Sequence, residues 1–125
     1  TTNTVIPGST ITYTPVNGSS KVVYEFHMQF HNDPDSHNAT FIELQNDLVG
    51  DGTWTVVSSS YRIGDLSVYS SFQGFSIGRF LLPSWSGSRP LRLLANSYSN
   101  SYQCTLHEDE AGNHFDPIIK VYSLM

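Results

Sequence analysis

KVVYEFHMQFH, residues 21–31, is the stretch that decides the fold of this chain. Its apolar side chains fall on alternate positions, and polar side chains occupy the positions between them, with Val23 as the one apolar exception. This period of two is the pattern of a β-strand with one face in a core. At about 3.3 Å per residue the strand would span roughly 36 Å, which is longer than most strands in globular proteins. The stretch therefore predicts a sheet that runs the full length of a sandwich.

The composition limits the class of protein and excludes several partners. A chain of 125 residues is predicted to form one domain with its own core. The net charge of −5, with only 6 lysines and arginines, argues against a nucleic-acid partner and against an anionic membrane surface. No apolar run approaches the roughly 18 residues of a membrane-spanning helix. Cys104 is the only cysteine, and its alternation with apolar neighbours predicts a small core residue rather than a nucleophile.

The rest of the chain is a series of short strand patterns separated by turn residues. The predicted strands are residues 10–14, 21–31, 40–45, 53–57, 61–63, 66–69, 73–82, 91–98, 101–107 and 117–124. No segment has the apolar spacing of a helix over three turns, so no helix is predicted. Eight to ten short strands with frequent turns are typical of an antiparallel sandwich or barrel. Residues 1–9 are polar with a Pro-Gly break, and are predicted to be a lead-in from something upstream.

Two local features refine this prediction. Within residues 73–82 the apolar positions change from odd to even on either side of Gly78, which predicts a β-bulge there. The dipeptide at 99–100 is placed in a tight hairpin between residues 91–98 and 101–107.

The last predicted strand is apolar on both faces. Ile118, Tyr122 and Leu124 share one parity, and Ile119 and Val121 share the other. A half-buried antiparallel strand normally has one polar face. The second apolar face needs a cover, which a lone domain supplies only with loops and an oligomer supplies with another subunit. Because Phe41 and Tyr98 also lie opposite their strands' main apolar set, an oligomer is predicted.

Three stretches carry a resemblance to a known family. ITYTPVNGSSKVVYEFHMQF, residues 11–30, has a short strand, a turn rich in Thr, Pro, Ser and Gly, and a long hydrophobic strand that opens with Ser-Lys-Val. RPLRLLANSYSNSYQCTLHEDE, residues 89–110, and PIIKVYSLM, residues 117–125, supply two strands, a variable loop and a final Ile-x-Val-Tyr strand. These features resemble the C1q/TNF-like jelly-roll domains of viral and phage fibre or spike proteins. Residues 33–60 and 83–89 match no part of that pattern.

The resemblance implies an antiparallel jelly roll that forms a homotrimer, with the sheet of the first and last strands around a threefold axis. It implies a head domain, residues 10–125, on the virion surface at the distal end of a tail fibre, with residues 1–9 leading in from a stalk. Its function would be host attachment through a surface glycan or protein. The residues expected at the trimer interface are His27, Tyr98, Ile119, Val121 and Tyr122.

The histidines and acidic clusters do not predict a metal site. His27 and His31 lie about 13 Å apart along one strand face, too far to share one ion. His27 would bind a metal only where three symmetry copies met on an axis, and its alternative role is that of a hydrogen-bonded interface histidine. Residues 33–38 have the acidic spacing of a calcium loop but lack the glycine and glutamate of an EF-hand, so a turn is predicted. Residues 108–114 are predicted to be a solvated loop, and no cofactor is expected.

Binding is better supported than catalysis. No motif of a serine hydrolase, zinc protease or nucleotide-binding enzyme is present in the sequence, which predicts that the protein is not an enzyme. Trp54, Tyr61 and Trp85 lie in or beside Ser/Gly-rich segments that are predicted to be exposed, where aromatic side chains give large, stiff contact area. Trp85 and Arg89 share one loop, and this pairing suits a sugar or an acidic glycan. In the alternative, Trp85 folds back over the end of the sandwich.

The sequence leaves two other functions open. The chain would also suit a monomeric carbohydrate-binding module of a secreted enzyme, or a structural virion decoration protein with no receptor.

Overall fold

The structure, a computed structural model, describes residues 4–32, 39–64, 72–97, 104–107, 114 and 116–125. Within these ranges the chain forms nine strands and no helix. The strands are β1 (Thr4–Val5), β2 (Ile11–Tyr13), β3 (Lys21–Asn32), β4 (Ala39–Asn46), β5 (Thr55–Gly64), β6 (Phe72–Pro83), β7 (Arg89–Ser97), β8 (Cys104–Leu106) and β9 (Ile118–Leu124). Every pairing between them is antiparallel, in two sheets. The predicted all-β antiparallel sandwich is confirmed.

Consecutive strands often lie in different sheets, so the chain passes between the two sheets several times. The five-stranded sheet has the order β1-β7-β4-β5, with β2 also paired to β7. The four-stranded sheet has β3 in its interior, with β6 on one side and both β8 and β9 on the other. β3 and β6 pair in unbroken register from Lys21 opposite Pro83 to Asn32 opposite Phe72. The long strand predicted at residues 21–31 is thus confirmed, and it is the interior strand of its sheet.

The core lies between the sheets and follows the alternation of β3. Val22, Tyr24, Phe26 and Met28 are at most 1% exposed. Tyr24, Phe26 and Met28 belong to one core cluster with buried side chains of β4, β6 and β7, which are Ile42, Leu44, Phe80, Leu82, Leu91 and Leu93. Full burial of one such side chain stabilises a fold by about 1.5–3 kcal/mol. The periodicity of this one strand therefore sets which face of the four-stranded sheet is the inner face.

The segment predicted to be a structureless lead-in is part of the sandwich from Thr4 onward. Thr4 pairs with Ala95, and Ile6 is only 2% exposed in the core. The hydroxyl of buried Ser9 donates to the carbonyl of Ile6 at 2.6 Å and accepts the N–H of Leu93 at 3.0 Å. The prediction failed because Ile6 enters the core and anchors the segment, whereas the neighbouring Val5 stays 37% exposed. The upstream stalk stays a prediction.

Strand boundaries needed two corrections. β5 is one strand of ten residues that includes Ser58, where two shorter strands were predicted on either side of the serines. Its pairing with β4, which has register shifts between Ile42 and Gln45, overrides the weak strand propensity of serine. Gly78 forms no bulge, because it pairs with Phe26 in unbroken register. The apolar positions change parity because Ile77 lies on the outer face, where it is 55% exposed.

Sheet membership needed two further corrections. β7 belongs to the five-stranded sheet and β8 to the four-stranded sheet, so the hairpin predicted at 99–100 does not form between them. β2 and β9 also lie in different sheets, so no sheet holds both the first and the last predicted strands. The predicted strand at 66–69 lies outside the described residues, as does the side chain of Cys104.

The side chain of Tyr24 links the N-terminal segment to the core through a hydrogen bond to Ser9, and the contribution of this bond to stability is testable. Its side chain is fully buried, and its hydroxyl donates to the carbonyl of Ser9. Burial, only partly offset by that hydrogen bond, raises the pKa of Tyr24 far above its ordinary value. Tyr24→Phe leaves a buried carbonyl without its partner, so we expect a loss of about 1–3 kcal/mol in the free energy of unfolding, measured by urea denaturation.

Tyr13→Phe is the matched control for Tyr24→Phe. The Tyr13 hydroxyl bonds the Ser123 hydroxyl at 2.8 Å in a half-buried position. Water can replace that partner, so the loss should be smaller. Equal losses in the two variants would contradict the anchoring role of Tyr24.

Candidate functional site

Two connections lie side by side at the end of the sandwich where β3 begins. The β2–β3 turn, residues 14–20, and the β6–β7 loop, residues 84–88, enclose a cleft of about 540 Å³. We call this the end cleft. Its lining residues are Thr14, Pro15, Val16, Asn17, Gly18, Ser19, Ser84, Trp85, Ser86 and Gly87. The volume lies in the range of small-ligand pockets.

Hydrogen bonds join the two walls of the end cleft at both ends. The hydroxyls of Thr14 and Ser88 are 2.6 Å apart, and those of Ser19 and Ser84 are 2.8 Å apart. The Ser84 N–H also donates to the carbonyl of Ser20 at 3.3 Å. These bridges fix the separation of the walls, so the cleft is a formed feature of the single chain.

Trp85 both covers the core and lines the end cleft. Its half-buried side chain packs against the core cluster, and the ring of Tyr13 meets it edge-on at 6.4 Å between centroids. The Arg89 guanidinium lies over the indole, 4.6 Å from its centroid. Burial lowers the pKa of Arg89 below its ordinary value. The alternative that Trp85 folds back over the sandwich end therefore holds, and it does not remove the residue from the cleft.

The other two predicted ligand residues are not brought to this site. The ring of Trp54 lies under the guanidinium of Arg92, 4.0 Å from it, and Arg92 also donates to Gln45 at 3.0 Å. Arg89 and Arg92 are three positions apart on β7 and so lie on opposite faces of the sheet. Tyr61 lies in β5, where its backbone pairs with Ile42, and its side chain is outside the described part.

Sequence reasoning missed the polar lining of the end cleft. Asn17, Ser19 and Ser84 were predicted only as turn and loop residues. They meet because Lys21 pairs with Pro83, which brings the connections before β3 and after β6 together. No local pattern in the sequence contains that pairing. The composition of the two loops, rich in small polar residues beside an aromatic, was the available indication.

The outer face of the four-stranded sheet is a second candidate surface. Register places its side chains in rows across β6, β3 and β9: Leu81, Val23 and Tyr122; Arg79, Glu25 and Lys120; Ile77, His27 and Ile118. We call this the outer face. Leu81 is 60% exposed, Ile118 54% and Leu124 41%. A shallow hollow of about 260 Å³ lies between Val23, Leu81 and Tyr122.

The middle row of the outer face is a charge cluster. Glu25 lies 3.4 Å from the ring nitrogen of His27 and 4.0 Å from Arg79. Its side chain is 18% exposed, whereas that of Arg79 is 69% exposed. The one carboxylate in these three rows is thus partly sheltered and has basic neighbours.

Two residues predicted at the trimer interface face the wrong way. Ile119 and Val121 pack against the core, because they pair with the inward-facing Phe26 and Tyr24. The outer positions of β9 belong to the opposite parity, which includes Tyr122. His27 and Tyr122 do lie on the outer face, both half-buried. Tyr98 lies outside the described residues.

Within the ranges that the structure describes, no group of three or more His, Cys, Asp or Glu side chains is placed to hold a metal ion. The loops at 33–38 and 108–113 fall outside those ranges. The described ranges also contain no helix of the length and apolarity needed to cross a membrane.

The geometry defines an all-β antiparallel sandwich with an apolar outer face and an uncharged end cleft. No protein-family model, no curated protein and no solved structure matches this chain. The chemistry of these two surfaces therefore carries the functional argument.

Asp47 orders the neighbouring β4–β5 loop, and its titration is testable. Its carboxylate accepts the N–H groups of Gly50 at 2.8 Å and Gly52 at 2.7 Å. Burial raises the pKa of Asp47, but the backbone N–H groups outweigh it and hold the pKa below its ordinary value. The carboxylate therefore stabilises the fold above the unfolded-state pKa of about 3.9, and this contribution is lost as pH falls through the folded-state pKa.

Asp47→Asn should be less stable than the wild type at neutral pH, with a gap that narrows as the pH falls below about 3.9. Urea unfolding midpoints from neutral to acidic pH measure the gap. Asp51→Asn is the control, because it removes a carboxylate from the same loop and leaves both glycine contacts intact. A gap independent of pH would contradict the assignment.

Proposed function

We propose that this chain is the head domain of a viral attachment fibre or spike. It forms a homotrimer through the outer face and binds a host-surface glycan or protein through the loops at the end of the sandwich. The observation that carries the proposal is the apolar outer face, where Leu81, Ile118 and Leu124 are 41–60% exposed in the single chain. Leu81 and Leu124 line one hollow with Val23 and Tyr122, and exposed apolar patches mark interaction sites on soluble proteins.

The row pattern of the outer face supports packing against copies of the same chain. Apolar side chains lie on both sides of the charged row, Leu81, Val23 and Tyr122 in one row and Ile77 and Ile118 around His27 in the other, so copies with their strands along a common axis would place apolar side chains against apolar side chains. Glu25 has His27 and Arg79 beside it in the single chain. These basic neighbours limit the desolvation cost of burying the Glu25 carboxylate in an interface. Closed cyclic symmetry is the usual arrangement of homo-oligomers, and the resemblance to C1q/TNF-like domains selects the threefold form.

The strand order supports the jelly-roll part of the proposal. Pairings join strands distant in sequence, since β3 lies between β6 and β9 and β7 lies between β2 and β4. Double-sheet folds of this type are built by connections that cross between sheets. Because the first and last strands lie in different sheets, the sheet placed around the axis is the one that contains β9.

The end cleft supports a binding function rather than catalysis. It joins an aromatic surface to uncharged hydrogen-bonding groups, which is the chemistry of recognition. Attachment at the virion surface, outside the cell, is the role that combines a trimer with such loops. The proposal includes no enzymatic activity and no cofactor.

The assembly is tested by light scattering at micromolar concentration. We expect a mass three times the 13.9 kDa of the chain. Leu81→Lys and Ile118→Lys should each give the single-chain mass, because each places a charge in the covered apolar rows. Circular dichroism shows whether the variants stay folded, as exposed positions allow.

Val49→Lys is the matched control, since Val49 is 77% exposed and belongs to the β4–β5 loop, outside the three rows of the outer face. It should keep the trimer mass. A wild-type protein that is monomeric, or two lysine variants that remain trimeric, would overturn the proposal.

A monomeric carbohydrate-binding module is the second candidate. The observation that favours it is that the end cleft is complete within one chain. A monomer mass together with glycan binding selects this function. A trimer that binds neither glycans nor host cells instead selects the structural decoration protein.

A further inference from the structure

The polar residues of the end cleft divide into two groups. Thr14, Ser19 and Ser84 use their hydroxyls to bridge the walls. Asn17 and Ser86 are exposed, and their side chains make no hydrogen bond with the described part of the chain. The first group holds the two walls of the end cleft together. The second group has hydrogen-bond donors and acceptors available for a ligand in the cleft.

The apolar part of the lining lies between these polar groups. Pro15, Val16 and Trp85 contribute it. The Nε1–H of Trp85 is buried and has no hydrogen-bond partner among the described residues. A ligand suited to the cleft therefore presents both C–H surface and many neutral oxygens.

The charge of the cleft narrows the ligand class further. None of its ten lining residues is charged. Arg89, the first residue of β7, lies over the Trp85 ring. It lines a different groove, together with Leu48 and Val57. A carboxylate, sulfate or phosphate in the end cleft would meet no cationic lining residue, and leaving such a group unpaired is costly.

We propose that the end cleft binds a neutral saccharide, with Asn17 and Ser86 as its hydrogen-bonding contacts and Thr14, Ser19 and Ser84 as positioning residues. This inference rests on the proposed attachment function and names its ligand class. Alternating hydroxyls and C–H faces make a neutral sugar complementary to this lining. Because hydrogen bonds already hold the two loops together, binding costs less conformational entropy than it would with two separate loops.

The test uses the full chain in its native oligomeric state on a glycan array that carries both neutral and acidic oligosaccharides. We expect binding to neutral members, in preference to sialylated or sulfated ones. Asn17→Ala combined with Ser86→Ala should weaken binding to the best neutral oligosaccharide by about tenfold, measured by titration calorimetry. Ser20→Ala, an exposed serine beside the cleft and outside its lining, is the matched control and should leave the affinity unchanged.

The outcomes separate this inference from the proposed function. Binding only to acidic glycans, no binding to any neutral glycan, or neutral binding that survives the double substitution would overturn the saccharide assignment. The trimer mass and adsorption to host cells would still support attachment in those cases. A monomeric protein that binds neutral glycans through Asn17 and Ser86 would confirm the cleft and overturn the trimeric head.

Discussion

The antiparallel pairing of β3 with β6 is the constraint on which the rest of the structure depends. It extends over all twelve residues of β3 without a shift. Side chains alternate between the two faces of a strand, so this register places Phe26 and Phe80 in the core and Glu25 and Arg79 outside. A slip of one residue would exchange the faces of β3 and expose its whole apolar set. The core therefore enforces the register.

The same register creates both candidate functional surfaces. Because Lys21 pairs with Pro83, the turn before β3 and the loop after β6 leave the sheet together and enclose the end cleft. Because β9 pairs with the other side of β3, the outward residues of three strands line up as the rows of the outer face. Both candidate surfaces thus depend on one set of backbone hydrogen bonds.

The sequence predicted what depends on local alternation and failed where distant pairing decides. The inner face of β3 and the loop after Pro83 could both be predicted, because each is a short-range pattern. The direction of β9 could not be predicted from its own residues, since both parities are apolar. Only its pairing with β3 turns Ile119 inward. Ile6 was missed for a related reason, since the adjacent pair Val5 and Ile6 in a mostly polar segment has no periodicity.

Val23 departs from the predicted alternation of β3 and also lies on the face that is proposed to be covered in the assembly. It is the one apolar exception on the polar parity of β3, yet it is only 5% exposed, because Leu81 and Tyr122 flank it in the same row. Burial of Val23 already stabilises the single chain, whereas Leu81 beside it is 60% exposed. The arrangement makes sense if the row is covered as a unit, since burial of the flanking side chains then extends an apolar layer already begun within the single chain. In the proposed assembly, this exception in the alternation would belong to a second apolar layer, on the outer side of the sheet.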